Sequence, residues 1–203
     1  YEIMPSLVGS EMCIRDRGKP EVKDYEEALK KHINSIKRPD VEITFHGVDT
    51  GVPYLEYNFV VMLNTAAIGG VFNKILQAER EGYDAVAIGC FLDPALYQAR
   101  EVVNIPVLGL GETSMHIACL LGRRFSVIAF HEKQADMYER MALSYGFRDR
   151  IVPFYGMNLG IQDLVKGLKE PKKCIEEFKS VAEKAVKAGA EVIVPGCGIM
   201  DLI

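Results

Sequence analysis

Two hydrophobic periods take turns along the chain from Pro20 onward. Val22, Tyr25, Ala28, Leu29 and His32 recur at three and four with Lys and Glu between them, which predicts a helix that ends before Pro39-Asp40. Val41–His46 alternates as a strand, and Asp49-Thr50-Gly51-Val52-Pro53 reads as a loop. Helical periodicity returns from about Tyr57 to Arg80, where Gly69-Gly70 leaves room for a kink or for two helices. Asp93 then Pro94 reads as an N-cap followed by proline at the first helical position. A short strand is expected at Pro106–Leu110, then a mostly buried helix opening at Gly111-Glu112-Thr113-Ser114 and closing at Gly122. Arg124–Phe130 predicts a buried strand and Glu132–Tyr145 an amphipathic helix. Ile151–Tyr155 is a further candidate strand, and a helix runs from Pro171 to about Lys187.

Two stretches repeat one another. Residues 82–90 read Gly-Tyr-Asp-Ala-Val-Ala-Ile-Gly-Cys and residues 189–197 read Gly-Ala-Glu-Val-Ile-Val-Pro-Gly-Cys. Each is a β-branched run, entered from a helix through Gly and stopped at Gly-Cys, as expected of a buried parallel strand. The alternation of strands and helices after residue 40 predicts an α/β fold with mostly parallel sheets flanked by helices. The two motifs lie 107 residues apart with matching lead-ins. They imply two pseudo-symmetric lobes, at 18–108 and 109–203, with the active site in the cleft between them.

Residues 1–17 show neither a strand's alternation nor a helical stripe. They are read as a non-native leader, with a disordered native arm as the alternative, and are set aside with Cys13. No strand is then expected before the first helix, and only Gly-Ile-Met-Asp-Leu-Ile follows Cys197. The chain accordingly reads as a fragment missing both ends, weak or inactive by itself.

Composition narrows the function. A net charge of −4 supplies no basic field for nucleic acid, and no apolar run reaches the roughly 18 residues that span a bilayer. Five cysteines without a secretory leader point to reduced thiols and a cytoplasmic protein. No Cys-x-x-Cys pair occurs, and His32, His46, His116 and His131 form no ligand pair, so no metal is expected. Gly109-Leu110-Gly111 lacks the further residues of a phosphate loop.

The chemistry therefore falls to Cys90 and Cys197, each delivered to a strand's carboxyl end, where parallel sheets bind ligands. A helix start at Asp93-Pro94 and a tight turn at Gly198 would bring backbone donors near the thiols and lower their pKa. Two such thiols suit a two-base reaction: one removes a proton beside a carbonyl and the other returns one to the opposite face. The plainer reading is packing, since free Cys is often buried as a small hydrophobe. That reading is preferred for Cys119 and Cys174. His116 reads as a satisfied core or interface histidine.

Several segments together resemble the aspartate/glutamate racemase superfamily, and within it the hydantoin (allantoin) racemase branch. They are Ile88-Gly-Cys-Phe-Leu-Asp-Pro-Ala-Leu, Ala99-Arg-Glu-Val-Val, Pro106-Val-Leu-Gly, Ser114-Met-His-Ile-Ala, Leu121-Gly-Arg-Arg-Phe-Ser-Val-Ile and Pro195-Gly-Cys-Gly-Ile-Met-Asp-Leu. The resemblance spans about residues 54–203 and is most specific over 88–128. It implies no cofactor, Cys90 and Cys197 as the acid/base pair, and a homo-oligomer. It also implies Leu55 packed over a small-molecule substrate whose carbonyls meet the backbone at Gly89, Phe91 and Gly198. Amino-acid racemases of the superfamily follow their cysteines with Asn-Thr and with Thr-His or Thr-Glu; here Phe91-Leu92 and Gly198-Ile199 stand instead. A neutral cyclic amide, a 5-substituted hydantoin or allantoin, suits that pocket better. An aspartate or glutamate racemase is the alternative, and a non-catalytic small-molecule binding module is the rival outside enzymes. The chain departs from the family in lacking an opening strand with Asn-Pro-Asn-Thr. It also carries Ala129-Phe130 where Thr-Thr is usual, which removes two hydroxyl donors.

Overall fold

The computed structural model describes residues 2–4, 20–47 and 60–203. The chain divides into two compact units, Tyr1–Leu110 and Gly111–Ile203.

In the first unit, strands β1 (Glu2–Met4), β2 (Glu42–Ile43), β3 (Ala85–Ile88) and β4 (Val107–Gly109) form a parallel sheet in the order β2-β1-β3-β4. Helices α1 (Pro20–Ile36), α2 (Val60–Glu81) and α3 (Leu96–Val102) connect them. The strand at Glu2–Met4 corrects the expectation that none precedes the first helix. A three-residue strand held on both edges by neighbours needs no alternation of its own to be recruited. Helix α2 runs unbroken through Gly69-Gly70. Its side chains Val71, Ile75 and Ala78 pack with Val86 and Ile88 of β3 and with Leu96 and Ala99 of α3, all fully buried.

The second unit follows the same plan. Strands β5 (Phe125–Ala129), β6 (Tyr155–Gly156) and β7 (Val192–Pro195) form a parallel sheet in the order β6-β5-β7. Around it run α4 (Leu110–Leu121), α5 (Glu132–Ser144), α6 (Ile161–Gly167) and α7 (Lys172–Lys187). All five β5 residues are buried, as befits a central strand covered on both faces. The candidate strand at 151–155 contracts to one bridge at Ile151 and to β6. Helix α6 has no counterpart in the sequence reading; Asp163 in its first turn accepts the Gly160 N–H at 2.9 Å.

Helix α4 departs from the buried helix expected. Met115 and Ala118 are buried, but Ile117, Leu120 and Leu121 are 49%, 81% and 73% exposed. A helix apolar all round has no polar face to mark its outside. His116 is exposed on the same helix, one edge resting on Phe147 with ring centroids 4.8 Å apart, so it is not a core histidine.

The two Gly-Cys strands are entered alike. Gly82 and Gly189 take left-handed φ of 84° and 100°. Tyr83 N–H donates to Ala78 O at 3.2 Å, and Ala190 N–H to Ala185 O at 3.0 Å. Gly82 and Gly189 donate to Glu79 and Val186 at 3.1 and 2.9 Å. This paired closure ends both helices and turns the chain into the strand, and the positive φ is why Gly stands there in both copies.

Candidate active site

The sheet order places each cysteine. In the first unit the chain leaves central β1 for β2, then crosses back to β3; in the second it leaves β5 for β6, then crosses back to β7. The carboxyl ends of the central and third strands flank the point where winding reverses, the usual ligand site of such sheets. Cys90 follows β3 and Cys197 follows β7. Each stands two residues past the last residue of its strand. Leu55 lies outside the described residues.

The turn after β3 differs from the capped helix expected. Asp93 N–H donates to Cys90 O at 3.0 Å, and Leu96 N–H donates to Asp93 O at 3.2 Å. Two successive turns delay helix α3 to Leu96, six residues after Cys90 rather than three. Asp93 and Ala95 both have left-handed backbones, φ 47° and 62°. An N-cap needs an extended backbone, so Asp93 cannot serve as one. Its buried carboxyl lies against Gly109 instead, so close that a Cβ on Gly109 would stand 2.5 Å from its Cγ. Phe91 is buried, while Gly89 and Cys90 are half-buried, Cys90 packing against the α2–β3 core.

The turn after β7 opens with the same bond. Met200 N–H donates to Cys197 O at 3.0 Å, opening a 3-10 turn over Met200–Leu202. Gly198 does not take a left-handed φ. Burial pushes the Cys197 thiol up to about 11, against the Ile199 N–H, which donates to the sulfur and favours the thiolate; the Asp201 carboxylate pushes upward as well. The lowered pKa expected from backbone donors is therefore reversed here. One amide and a three-residue turn do not offset the loss of hydration around the sulfur.

Other side chains hold this end of the sheet. Gly196 N–H donates to Ile128 O at 2.8 Å, and the Tyr138 hydroxyl donates to Gly196 O. Gln134 accepts the Phe130 N–H at 3.3 Å, and His131 caps α5 by accepting the Lys133 N–H at 3.2 Å. Tyr138 and Gln134 went unnoticed in the sequence. A tyrosine on the apolar face of an amphipathic helix was the available signal, because a buried hydroxyl requires a partner.

Cys119 is half-buried and Cys174 buried. Burial, then the Asp163 carboxylate, pushes the Cys174 thiol up, in keeping with packing. Among the described residues no cluster of three or more His, Cys, Asp or Glu could hold a metal ion. Nor is any described helix long and apolar enough to cross a membrane.

Comparison with known proteins gives concordant results. A family model described as Asp/Glu/Hydantoin racemase matches residues 22–203. A hydantoin racemase of Pseudomonas sp. (strain NS671) is 33% identical over 179 residues, covering 88% of this chain and 68% of that protein. An allantoin racemase from Klebsiella pneumoniae superposes with a TM-score of 0.73 at 25% identity, over 98% of this chain and 74% of that one. The allantoin racemase from Pseudomonas fluorescens shares the fold at a TM-score of 0.78 and 20% identity, over 98% and 78% of the respective chains.

Proposed function

Because this chain belongs to the Asp/Glu/Hydantoin racemase family and is thereby a racemase, we propose that its substrates are hydantoin-like cyclic amides, with Cys90 and Cys197 as the two bases. The reading is carried by one observation. Each cysteine follows the third strand of a β-α-β-α-β unit, at the matching position of two sheets with the same winding. The names of the similar proteins, hydantoin and allantoin racemases, supply the substrate class.

In the proposed reaction the Cys90 thiolate takes the proton from the ring carbon beside the carbonyl. The electron pair moves onto that carbonyl oxygen as an enolate. The Cys197 thiol then gives its proton to the opposite face of the carbon, becoming a thiolate as the carbonyl re-forms. A thiol that burial keeps protonated fits the donor's part in this direction, and the roles exchange for the other enantiomer. Backbone N–H groups near Phe91 and Gly198 would stabilise the enolate, and Leu55 would cover the ring.

The test is loss of optical rotation of a single-enantiomer 5-substituted hydantoin or of allantoin. D- and L-aspartate and glutamate are assayed beside them. Racemisation of the amino acids alone would transfer the assignment to the amino-acid branch. Binding of a hydantoin without any loss of rotation would favour the non-catalytic module.

A further inference from the structure

We infer that Tyr138 is a positioning residue for Cys197, fixing through its hydroxyl the peptide from which both the thiol and its amide project. This rests on the reading of Cys197 as an acid–base residue, and it adds a residue that the family resemblance does not mention.

The geometry is local to the second unit. Tyr138 sits on the buried face of α5, 1% exposed, 58 residues from the carbonyl its hydroxyl reaches. That carbonyl is Gly196 O, and the amide nitrogen of the same peptide group is Cys197 N. A trans peptide is planar, so fixing the oxygen fixes the N–H on the opposite side. The peptide before it is fixed as well, because Gly196 N–H donates to Ile128 O at 2.8 Å and extends the β5–β7 ladder beyond Ile128–Pro195. Only glycine fits between: a Cβ on Gly196 would stand 2.5 Å from the Tyr138 ring and 2.9 Å from Ile128 O.

Two consequences reach Cys197. Its amide is the donor of the peptide whose carbonyl the Tyr138 hydroxyl holds, and a hydroxyl donating to that carbonyl strengthens the N–H as a donor toward an oxyanion. The rest of the turn, with the Ile199 N–H on the sulfur and the Met200 N–H on Cys197 O, also starts from this anchored peptide. Gln134, one helical turn earlier on the same face, holds the Phe130 N–H at the neighbouring strand end, so one face of α5 braces both ends of the winding reversal.

The experiment compares wild type with Tyr138→Phe, which keeps the ring and removes only the hydroxyl. Two quantities are read: kcat and KM on a 5-substituted hydantoin, and the iodoacetamide alkylation rate of Cys197 by peptide mass spectrometry, with Cys90 as the internal control. Loss of one hydrogen bond predicts kcat lower by about tenfold with KM within about twofold, and Cys197 alkylation slower by about threefold with Cys90 unchanged. A lower melting temperature with both quantities unchanged would overturn the inference, since that is what a structural tyrosine gives. If wild type does not racemise hydantoins yet Tyr138→Phe still slows Cys197 alkylation alone, the substrate reading fails and the positioning role stands. Should Tyr138→Phe not fold, replacement of Tyr138 by 3-fluorotyrosine, a stronger donor, must speed alkylation at Cys197 alone; no change overturns the inference.

Discussion

The turn after β3 and the turn after β7 present the same residue type at the same point of the same winding, yet they are built differently. Both open with the same bond, the N–H three residues on donating to the cysteine carbonyl at 3.0 Å; the Cys90 turn then carries two left-handed non-glycine residues, a buried carboxyl against Gly109 and a helix delayed to Leu96. The Cys197 turn has no left-handed residue and continues as a 3-10 turn, with the Gly196 peptide before it bonded to Ile128 O and to the Tyr138 hydroxyl. A repeated β-α-β-α-β frame thus fixes where a thiol arrives and leaves its surroundings free to diverge.

The comparison can be broken most forcefully at the sulfurs. Cys90→Ser and Cys197→Ser should each reduce racemisation by about a hundredfold or more, because a serine hydroxyl is a far weaker base than a thiolate. Retained activity in one of them, measured by polarimetry, would leave a single working thiol and no functional symmetry.

Next come the two glycines at which each turn is packed. Gly196→Ala should cost about 3 kcal/mol, since the Cβ meets a buried ring and a backbone oxygen that are both fixed. Gly109→Ala should cost about 1–2 kcal/mol, since a carboxyl can rotate away. Urea melts of both variants check the order, and equal costs would mean that the two turns are equally rigid.

Acidity separates the sulfurs further. With the folded Cys197 thiol at about 11, above a free thiol's roughly 8.5, the folded chain holds this proton more tightly than the unfolded chain does. Its contribution to stability is complete below about 8.5 and is lost as pH rises toward 11. Melts of wild type and Cys197→Ala across that range should converge as the pH rises, whereas a constant gap would contradict the raised pKa of the folded thiol.

The smallest expected effect is at Ala95, whose φ of 62° costs an L-residue about 1 kcal/mol. Ala95→Gly relieves that strain but removes a buried core methyl of similar worth and adds glycine's entropy, so its melting temperature should stay within a few degrees of wild type. The Cys197 turn offers no equivalent site, because none of its residues takes a positive φ.

Much of this frame was legible in the chain itself. The matching runs 82–90 and 189–197 carry their own turn glycines and β-branched strands, and local periodicity suffices to place α5 and α7. What escaped depended on distant partners. Glu2–Met4 is a strand because β2 and β3 flank it, and Tyr138 matters because Gly196 meets it from 58 positions away. Asp93-Pro94 looked like a helix start because the local rule is sound in isolation, and tertiary packing against Gly109 overrode it. The Cys197 acidity differs from expectation for a related reason: sequence displays the donors that favour a thiolate and conceals the desolvation that opposes it.

Isotope placement tests the two-thiol claim most directly. A single-enantiomer hydantoin is incubated with the enzyme in D₂O and both enantiomers are analysed at low conversion by chiral chromatography and mass spectrometry. Since a thiol carries one proton and returns it to the face it came from, the account predicts deuterium in the newly formed enantiomer while the recovered starting enantiomer keeps its hydrogen. Deuterium entering both enantiomers at the same rate would contradict it, for that pattern belongs to one base serving both faces.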